Sequence, residues 1–376
     1  MRRGPHRDLR GHFFLDSPKS ERIKELRANS EKGWATVEKR GLGRTGLRVT
    51  QIGFGGIPID KKSRGQAEQT VQRAIDLGIN FFDTARAYGT SEEKIGAVLA
   101  RGGFSGYLAS KTYQRDRSGA LSDIDRSLKN LQVKKIDLYQ LHQIDDEDTL
   151  RKILVPRGAL AGLREARQSG KIDWIGITGH RPDILHQAVQ TGEFDTVQAP
   201  VNIVDHYVFE TEKTLLPLAK KLNVGIIAMK PLAGGMLKDA SRALRFALAQ
   251  EVDVVIPGLG SPGEVEEAVA VGKDYRPLSL VERRRLLAEV KELGTEFCRQ
   301  CGYCLPCPSG IDIPLVFRLE GYHDRYDAAA WARQQYLSLA IKAEKCELCG
   351  ECESRCPYRL PIQEKLRKAE RKLLDG

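Results

Sequence analysis

GQAEQTVQRAIDLGINFFDTARAYGTSEEKIGAVLARG, residues 65–102, decides the fold. A long amphipathic run ends on Gly78, a short apolar and aromatic run follows over 79–84, and a second amphipathic run begins at SEEK. This is a helix, a strand and a helix, with glycine at the helix end, where a left-handed cap is favoured.

The same alternation continues in both directions. Short β-branched or apolar runs at 52–56, 79–84, 107–111, 136–142, 172–178, 196–202, 224–229 and 252–257 predict eight strands. Helical stretches separate them, several closing on Gly78, Gly170, Gly192 or Asn223. Eight strand–helix units predict an α/β fold of (β/α)8 barrel type. A doubly wound open sheet would need a Gly-x-Gly-x-x-Gly turn after its first strand, and GFGG at 53–56 has the wrong spacing.

The barrel accounts for 37–294. LSLVERRRLLAEVKELG, 278–294, reads as a charged helix joining it to a second domain at 295–362, and 363–376 reads as an exposed, charged helical tail. Residues 1–36 precede the first recognisable element and read as a flexible basic extension. That extension matters for the net charge of +10, because residues 1–40 hold 11 Lys and Arg against 6 Asp and Glu, half of the excess. A solvated tail explains this charge without a nucleic-acid groove. No apolar run approaches the ~20 residues needed to cross a bilayer, and the N-terminus lacks the apolar stretch of a secretory signal, so neither membrane insertion nor export is expected.

Active sites of parallel barrels lie at the C-terminal ends of the strands. Asp83, Tyr88, Lys111 and His142 fall there, in FFDTARAYG, YLASKT and IDLYQLH. Singly each has a structural explanation, but at one rim they form a proton-donating set: an ammonium should lower the Tyr88 pKa, a carboxylate holds the Lys, and a neutral imidazole can polarise a carbonyl. With RGLGRTGLRVTQIGFGG, DTARAYGTSEE, KIDLYQLH, GKIDWIGITGH and VIPGLGSP, residues 38–275 resemble the aldo-keto reductases.

The resemblance implies that Asp83, Tyr88, Lys111 and His142 are the catalytic set and that a nicotinamide lies across the mouth. Thr178 and Gln198 would then face its amide, and Pro231 and Gly234, with Gly258 in the stretch after strand eight, would flank its phosphates and ribose. The sequence departs from the family pattern in three places. Met229 stands where an aromatic usually stacks, Gly179 and His180 follow Thr178 in place of the usual Asn, and IPGLGSPGEVEEA offers no cation for an adenosine phosphate while Glu264 would repel one. NAD(H), or a flavin phosphate on backbone amides, remains open alongside NADP(H).

All eight cysteines lie beyond residue 297, which points to metal ligands in a reducing, cytoplasmic setting rather than disulfides. Cys346-x2-Cys349-x2-Cys352-x3-Cys356-Pro has bacterial ferredoxin spacing, and Cys298-x2-Cys301-x2-Cys304-x2-Cys307-Pro is one residue shorter in its last interval. A zinc ribbon is the rival for such C-x2-C pairs. Resemblance to two-cluster ferredoxins implies a small α-rich domain with two 4Fe-4S clusters, one on Cys298, Cys301, Cys304 and Cys356 and the other on Cys346, Cys349, Cys352 and Cys307. The fusion resembles iron–sulfur oxidoreductases within the aldo-keto reductases. The expected function is redox chemistry on a small carbonyl or alcohol, with a ferredoxin-like electron partner. An electron-transfer module on a non-catalytic barrel is the alternative.

Overall fold

The computed structural model describes residues 37–376, apart from 210, 236, 238, 294–296, 299–301, 326–328 and 376. The basic extension expected over 1–36, and Cys301, therefore lie outside the described residues. A hairpin of β1 (Lys39–Gly41) and β2 (Arg48–Thr50) comes first. Eight parallel strands follow, from β3 (Phe54–Gly55), β4 (Phe81–Asp83), β5 (Tyr107–Thr112) and β6 (Ile136–Leu141) to β7 (Ile172–Thr178), β8 (Thr196–Pro200), β9 (Gly225–Met229) and β10 (Val254–Ile256). Each pairs with its sequence neighbour. Backbone bonds from Gly53 N to Val255 O and from Gly55 N to Pro257 O, both 2.9 Å, close the seam between β3 and β10. A Cβ at Gly55 would lie 2.5 Å from the Pro257 carbonyl, so only glycine lets these two strands meet.

The hairpin covers the N-terminal end of the barrel. Leu42, fully buried, joins Val49, Phe81, Ala109, Leu138 and Ile227 in the interior cluster. The Arg44 amide donates to the Asn223 carbonyl at 2.7 Å, fixing the hairpin to the turn before β9. Gly78, Gly170, Gly192 and Asn223 all have the positive φ expected of helix ends.

Two helices escape the sequence pattern. Glu147–Leu154 starts where the Asp146 side chain accepts from Thr149 N at 2.7 Å, within an acidic run that reads as loop. Ile203–Phe209 starts where Asn202 Oδ1 accepts from Val204 N and Asp205 N, at 3.0 and 2.9 Å. The β-branched residues around Asn202 extend the strand pattern, but its side-chain bonds stop the strand and open a helix.

The helix Leu280–Leu293 packs Leu286 against Ile203, Val204, Ala243 and Phe246, and Phe297, next to the first cysteine, joins the same cluster. Beyond it, helices Ile313–Arg325, Ala329–Leu337 and Ile362–Asp375 enclose a second core containing Val316, Phe317 and Tyr336. Here the expectation of an exposed tail over 363–376 is overturned. Ile362, Leu366, Ala369 and Leu373 recur at helical spacing and are buried, while the Lys, Arg and Glu between them mask the stripe in the sequence. Glu370 from the same helix accepts from Tyr336 Oη at 2.9 Å and Glu344 N at 3.0 Å, holding the turn that leads into Cys346. Leu366→Ala should therefore cost about 2–5 kcal/mol and lower the iron retained per chain. Unfolding followed by cluster absorbance checks this, and an unchanged midpoint would return the helix to the status of a tail.

Candidate active site at the barrel mouth

Inward-facing positions on a strand recur every second residue. Phe81 faces the barrel interior and so does Asp83; Ala109 leads to Lys111, and Leu138 to Gln140 and His142. The apolar members fill the floor and the polar members reach the C-terminal rim. Lys111 is fully buried, Asp83 is 2% exposed, and their ion pair is 2.5 Å. Lys111 Nζ also donates to the Thr84 carbonyl at 2.7 Å. Burial presses Asp83 up and Lys111 down in pKa, and the attraction between them opposes both shifts.

Tyr88 stands on the loop after β4, with Lys111 Nζ 4.9 Å from its ring centroid. The expectation that this ammonium lowers the Tyr88 pKa is reversed. Burial first, and then the Asp83 charge, push the phenol well above its ordinary value. The hydrogen bonds of Lys111 Nζ go to Asp83 and Thr84, and its charge does not outweigh the burial of Tyr88 and the Asp83 charge. His142 meets Tyr88 edge-on at 5.7 Å and stacks flat on Tyr113 at 4.3 Å. Burial, then Lys111, Arg115 and Lys230, hold its pKa well below the usual imidazole value, so it is neutral at pH 7.

A residue the sequence reading passed over links the rest. Gln140 Nε2 donates to Asp83 Oδ2 at 3.2 Å and to Gln198 Oε1 at 3.0 Å, and Gln198 Nε2 lies 3.5 Å from Met229 Sδ. A Cβ at Gly176 would come within 2.8 Å of Gln140, so the glycine in WIGIT makes room for this crossing. A polar residue at an inward strand position was the available signal.

The cofactor candidates separate. Thr178 and Gln198 are register partners on β7 and β8, both buried at the mouth. Met229 packs in the interior cluster and is 8% exposed, so it is a wall residue rather than an open stacking face. Pro231 is buried and Gly234 lies in a turn where Lys230, Ala233, Gly234 and Gly235 all have positive φ. Gly258 is exposed and pairs with Gly55 across the seam. Two residues further on, the Gly260 backbone N–H donates to the Glu264 carboxylate at 2.6 Å.

His180 joins the two lobes. A Cβ on Gly179 would lie 2.7 Å from Asp145 Oδ1, and its absence lets that carboxylate accept from the backbone N–H of His180 and, at 3.2 Å, of Arg181. The His180 imidazole hydrogen-bonds through Nδ1 to the Tyr303 hydroxyl and meets the Tyr303 and Tyr358 rings edge-on at 4.7 and 6.2 Å. Tyr303 lies inside the first cysteine run, and Tyr358 stands two residues after the last cysteine of the second.

Cys298, Cys304 and Cys356 line one cavity walled by Ile313, Phe317, Tyr358, Leu360 and Ile362. Cys352 feels Cys346 and Cys307 as neighbouring charges, and burial, ahead of them and Glu353, pushes its thiol up to about 11. Arg355 Nη2 ties the runs together through the carbonyls of Cys304 and Pro306, at 3.2 and 2.9 Å. Cys349 is exposed. The neighbourhoods cross between runs, the donor set is thiol throughout, and the walls are apolar, all of which suit iron–sulfur clusters.

A profile described as the Aldo/keto reductase family matches residues 51–243, and one described as a 4Fe-4S dicluster domain matches 297–361. The L-galactose dehydrogenase of Arabidopsis thaliana is 32% identical, over 68% of this chain and 96% of that enzyme. The aldo-keto reductase YhdN of Bacillus subtilis is 29% identical, over 54% of this chain and 64% of its own length. Among solved structures, the holo form of aldo-keto reductase AKR11C1 from Bacillus halodurans shares the fold, with a TM-score of 0.57 and 24% identity over 67% of this chain and 96% of that one. No helix among the described residues is long and apolar enough to cross a membrane. Barrel, matched profile and a relative covered almost end to end agree: the chain belongs to the aldo/keto reductase family, in the group that carries a C-terminal 4Fe-4S domain.

Proposed function

We propose that the protein reduces a small carbonyl, or oxidises the corresponding alcohol, at the barrel mouth, and exchanges electrons with a ferredoxin-like partner through two 4Fe-4S clusters. The observation that carries this is the contact of His180 with Tyr303 and Tyr358, because it sets the cysteine runs beside the Asp83, Tyr88, Lys111 and His142 set. Cys298, Cys301, Cys304 and Cys356 would hold one cluster, and Cys346, Cys349, Cys352 and Cys307 the other. When bound, a nicotinamide or flavin supplies two electrons and the clusters supply one at a time.

The protein's own part is to place the proton. Tyr88, with its pKa raised, stays a neutral phenol and can give its hydroxyl proton to the carbonyl oxygen. Lys111 stabilises the phenolate left behind, and Asp83 keeps Lys111 charged against the cost of burial. Neutral His142 can donate a hydrogen bond to the same oxygen. With Glu264 on the Gly260 amide, NAD(H) is favoured over NADP(H).

Anaerobically purified protein should be brown, and mixing it with NADH or reduced ferredoxin and a carbonyl should change the cluster spectrum while carbonyl is consumed. Zinc in place of iron would defeat the cluster assignment. Iron with no turnover of any carbonyl would favour a barrel that serves only as a scaffold for electron transfer.

A further inference from the structure

Two residues beyond Lys111, the inward phase of β5 brings Tyr113 to the rim. Lys111 pairs with Gln140 in the register of β5 and β6, so the next inward positions on the two chains are Tyr113 and His142. The His142 amide donates to the Thr112 carbonyl at 2.9 Å, which carries the ladder past Leu141 and sets the two residues side by side. Neighbouring strands run about 4.8 Å apart. At that spacing the two rings lie face to face, with centroids 4.3 Å apart and 1° between their planes. Tyr88 meets the same imidazole edge-on, at 5.7 Å and 82°. With one ring parallel to it and one perpendicular, the imidazole cannot tilt without opening the stack on Tyr113 or changing its edge contact with Tyr88.

Tyr113 is 40% exposed and His142 only 6%, so the tyrosine is the outer layer of the stack and the imidazole the inner one. His142 Nδ1 is buried with no hydrogen-bond partner among the described residues, which leaves Nε2 as the nitrogen a substrate can meet. The charged groups that act on His142 are Lys111 on β5, Arg115 after it and Lys230 after β9. Asp83 stands beside Lys111, and Asp145 and Asp146 act on Arg115. Tyr88 and His180, both uncharged, complete the surroundings. Burial is the first cause of the low His142 pKa, ahead of these charges, and the Tyr113 ring supplies one face of that burial.

We propose that Tyr113 is a positioning residue for the carbonyl chemistry: lying flat on His142, it fixes the imidazole plane and keeps water off that face, so that Nε2 meets the oxygen to which Tyr88 gives its proton. The proposal rests on the carbonyl reading above and adds a residue to it. A hydrogen bond weakens steeply as its angle closes, so an imidazole free to tilt is aligned for only part of the time. Tyr113 neither gives the proton nor receives the hydride, and it acts through His142 alone. No motif marks it; its place two residues after Lys111, in SKTYQ, puts it on the same face of the strand.

The test compares full-length, iron-loaded wild type with Tyr113→Phe, Tyr113→Leu and Tyr113→Ala. Reduction of 2,3-butanedione by NADH is followed beside an NMR titration of the His142 ring, identified by the signal that His142→Gln lacks. Tyr113→Leu and Tyr113→Ala should each lose about 10- to 100-fold in kcat with KM little changed, and Tyr113→Phe, which keeps the flat ring, should restore the rate. In wild type and Tyr113→Phe the imidazole should stay neutral between about pH 5 and 8. In Tyr113→Ala, where water reaches it, it should take up a proton within that range. An imidazole as neutral in Tyr113→Ala as in wild type overturns the proposal, because any loss of rate would then come from Tyr113 acting on the substrate and not through His142. An unchanged kcat in both Tyr113→Leu and Tyr113→Ala, or a loss in KM alone, overturns it too. Failure of the carbonyl reading looks different: wild type turns over no carbonyl while the imidazole still titrates only when the Tyr113 ring is gone, which keeps the stack's role and removes the chemistry.

Discussion

Tyr88→Phe should lower carbonyl turnover by about a hundred- to ten-thousand-fold while unfolding stays where it is. The ring survives the substitution, so its edge contact with His142 and its face toward Lys111 are kept and only the hydroxyl is lost. Substrate affinity should change little, placing the loss in kcat rather than KM. The direction of the Tyr88 shift adds a second readout. Reduction needs the protonated phenol, and a pKa raised by burial and Asp83 keeps it protonated across neutral and mildly alkaline pH, so no fall in reduction rate should be traceable to Tyr88 there. Full turnover by the Phe variant would remove Tyr88 as the proton donor.

Lys111→Met should be the most destabilising single change at the mouth, costing about 3–5 kcal/mol. It leaves the Asp83 carboxylate buried with no cation beside it, only side-chain amides, Gln140 at 3.2 Å and Gln198, among the described residues. Adding Asp83→Asn should recover much of that loss, since the double variant buries no unpaired charge, yet turnover should stay low in both. Denaturant unfolding of the two variants side by side measures this. Equal stability of wild type and Lys111→Met would mean that the pair is not held as an ion pair.

The barrel was legible because its period is long and regular. Strand and helix runs alternate, and the glycines and Asn223 at helix ends mark the boundaries. What escaped depended on side chains that answer to distant neighbours. Asn202 reads as the end of a strand until its bonds to Val204 and Asp205 are seen. The apolar stripe of the last helix is diluted by charges that turn to solvent. At the site, motif residues could be named in advance, but the sign of the Tyr88 shift could not, because it is set by how deeply the fold buries the phenol and by the Asp83 charge beside it. Asp145 and Tyr303 carry no motif; only the folded loops bring them to His180.

The hairpin at the foot of the barrel has a consequence for traffic. With Leu42 plugged into the interior and Arg44 bolted to the turn before β9, the far end is sealed. A molecule that reacts at the rim has to leave by the doorway through which it came. The same rim carries His180 in contact with Tyr303 and Tyr358, so the cysteine lobe itself helps to build the wall beside that doorway.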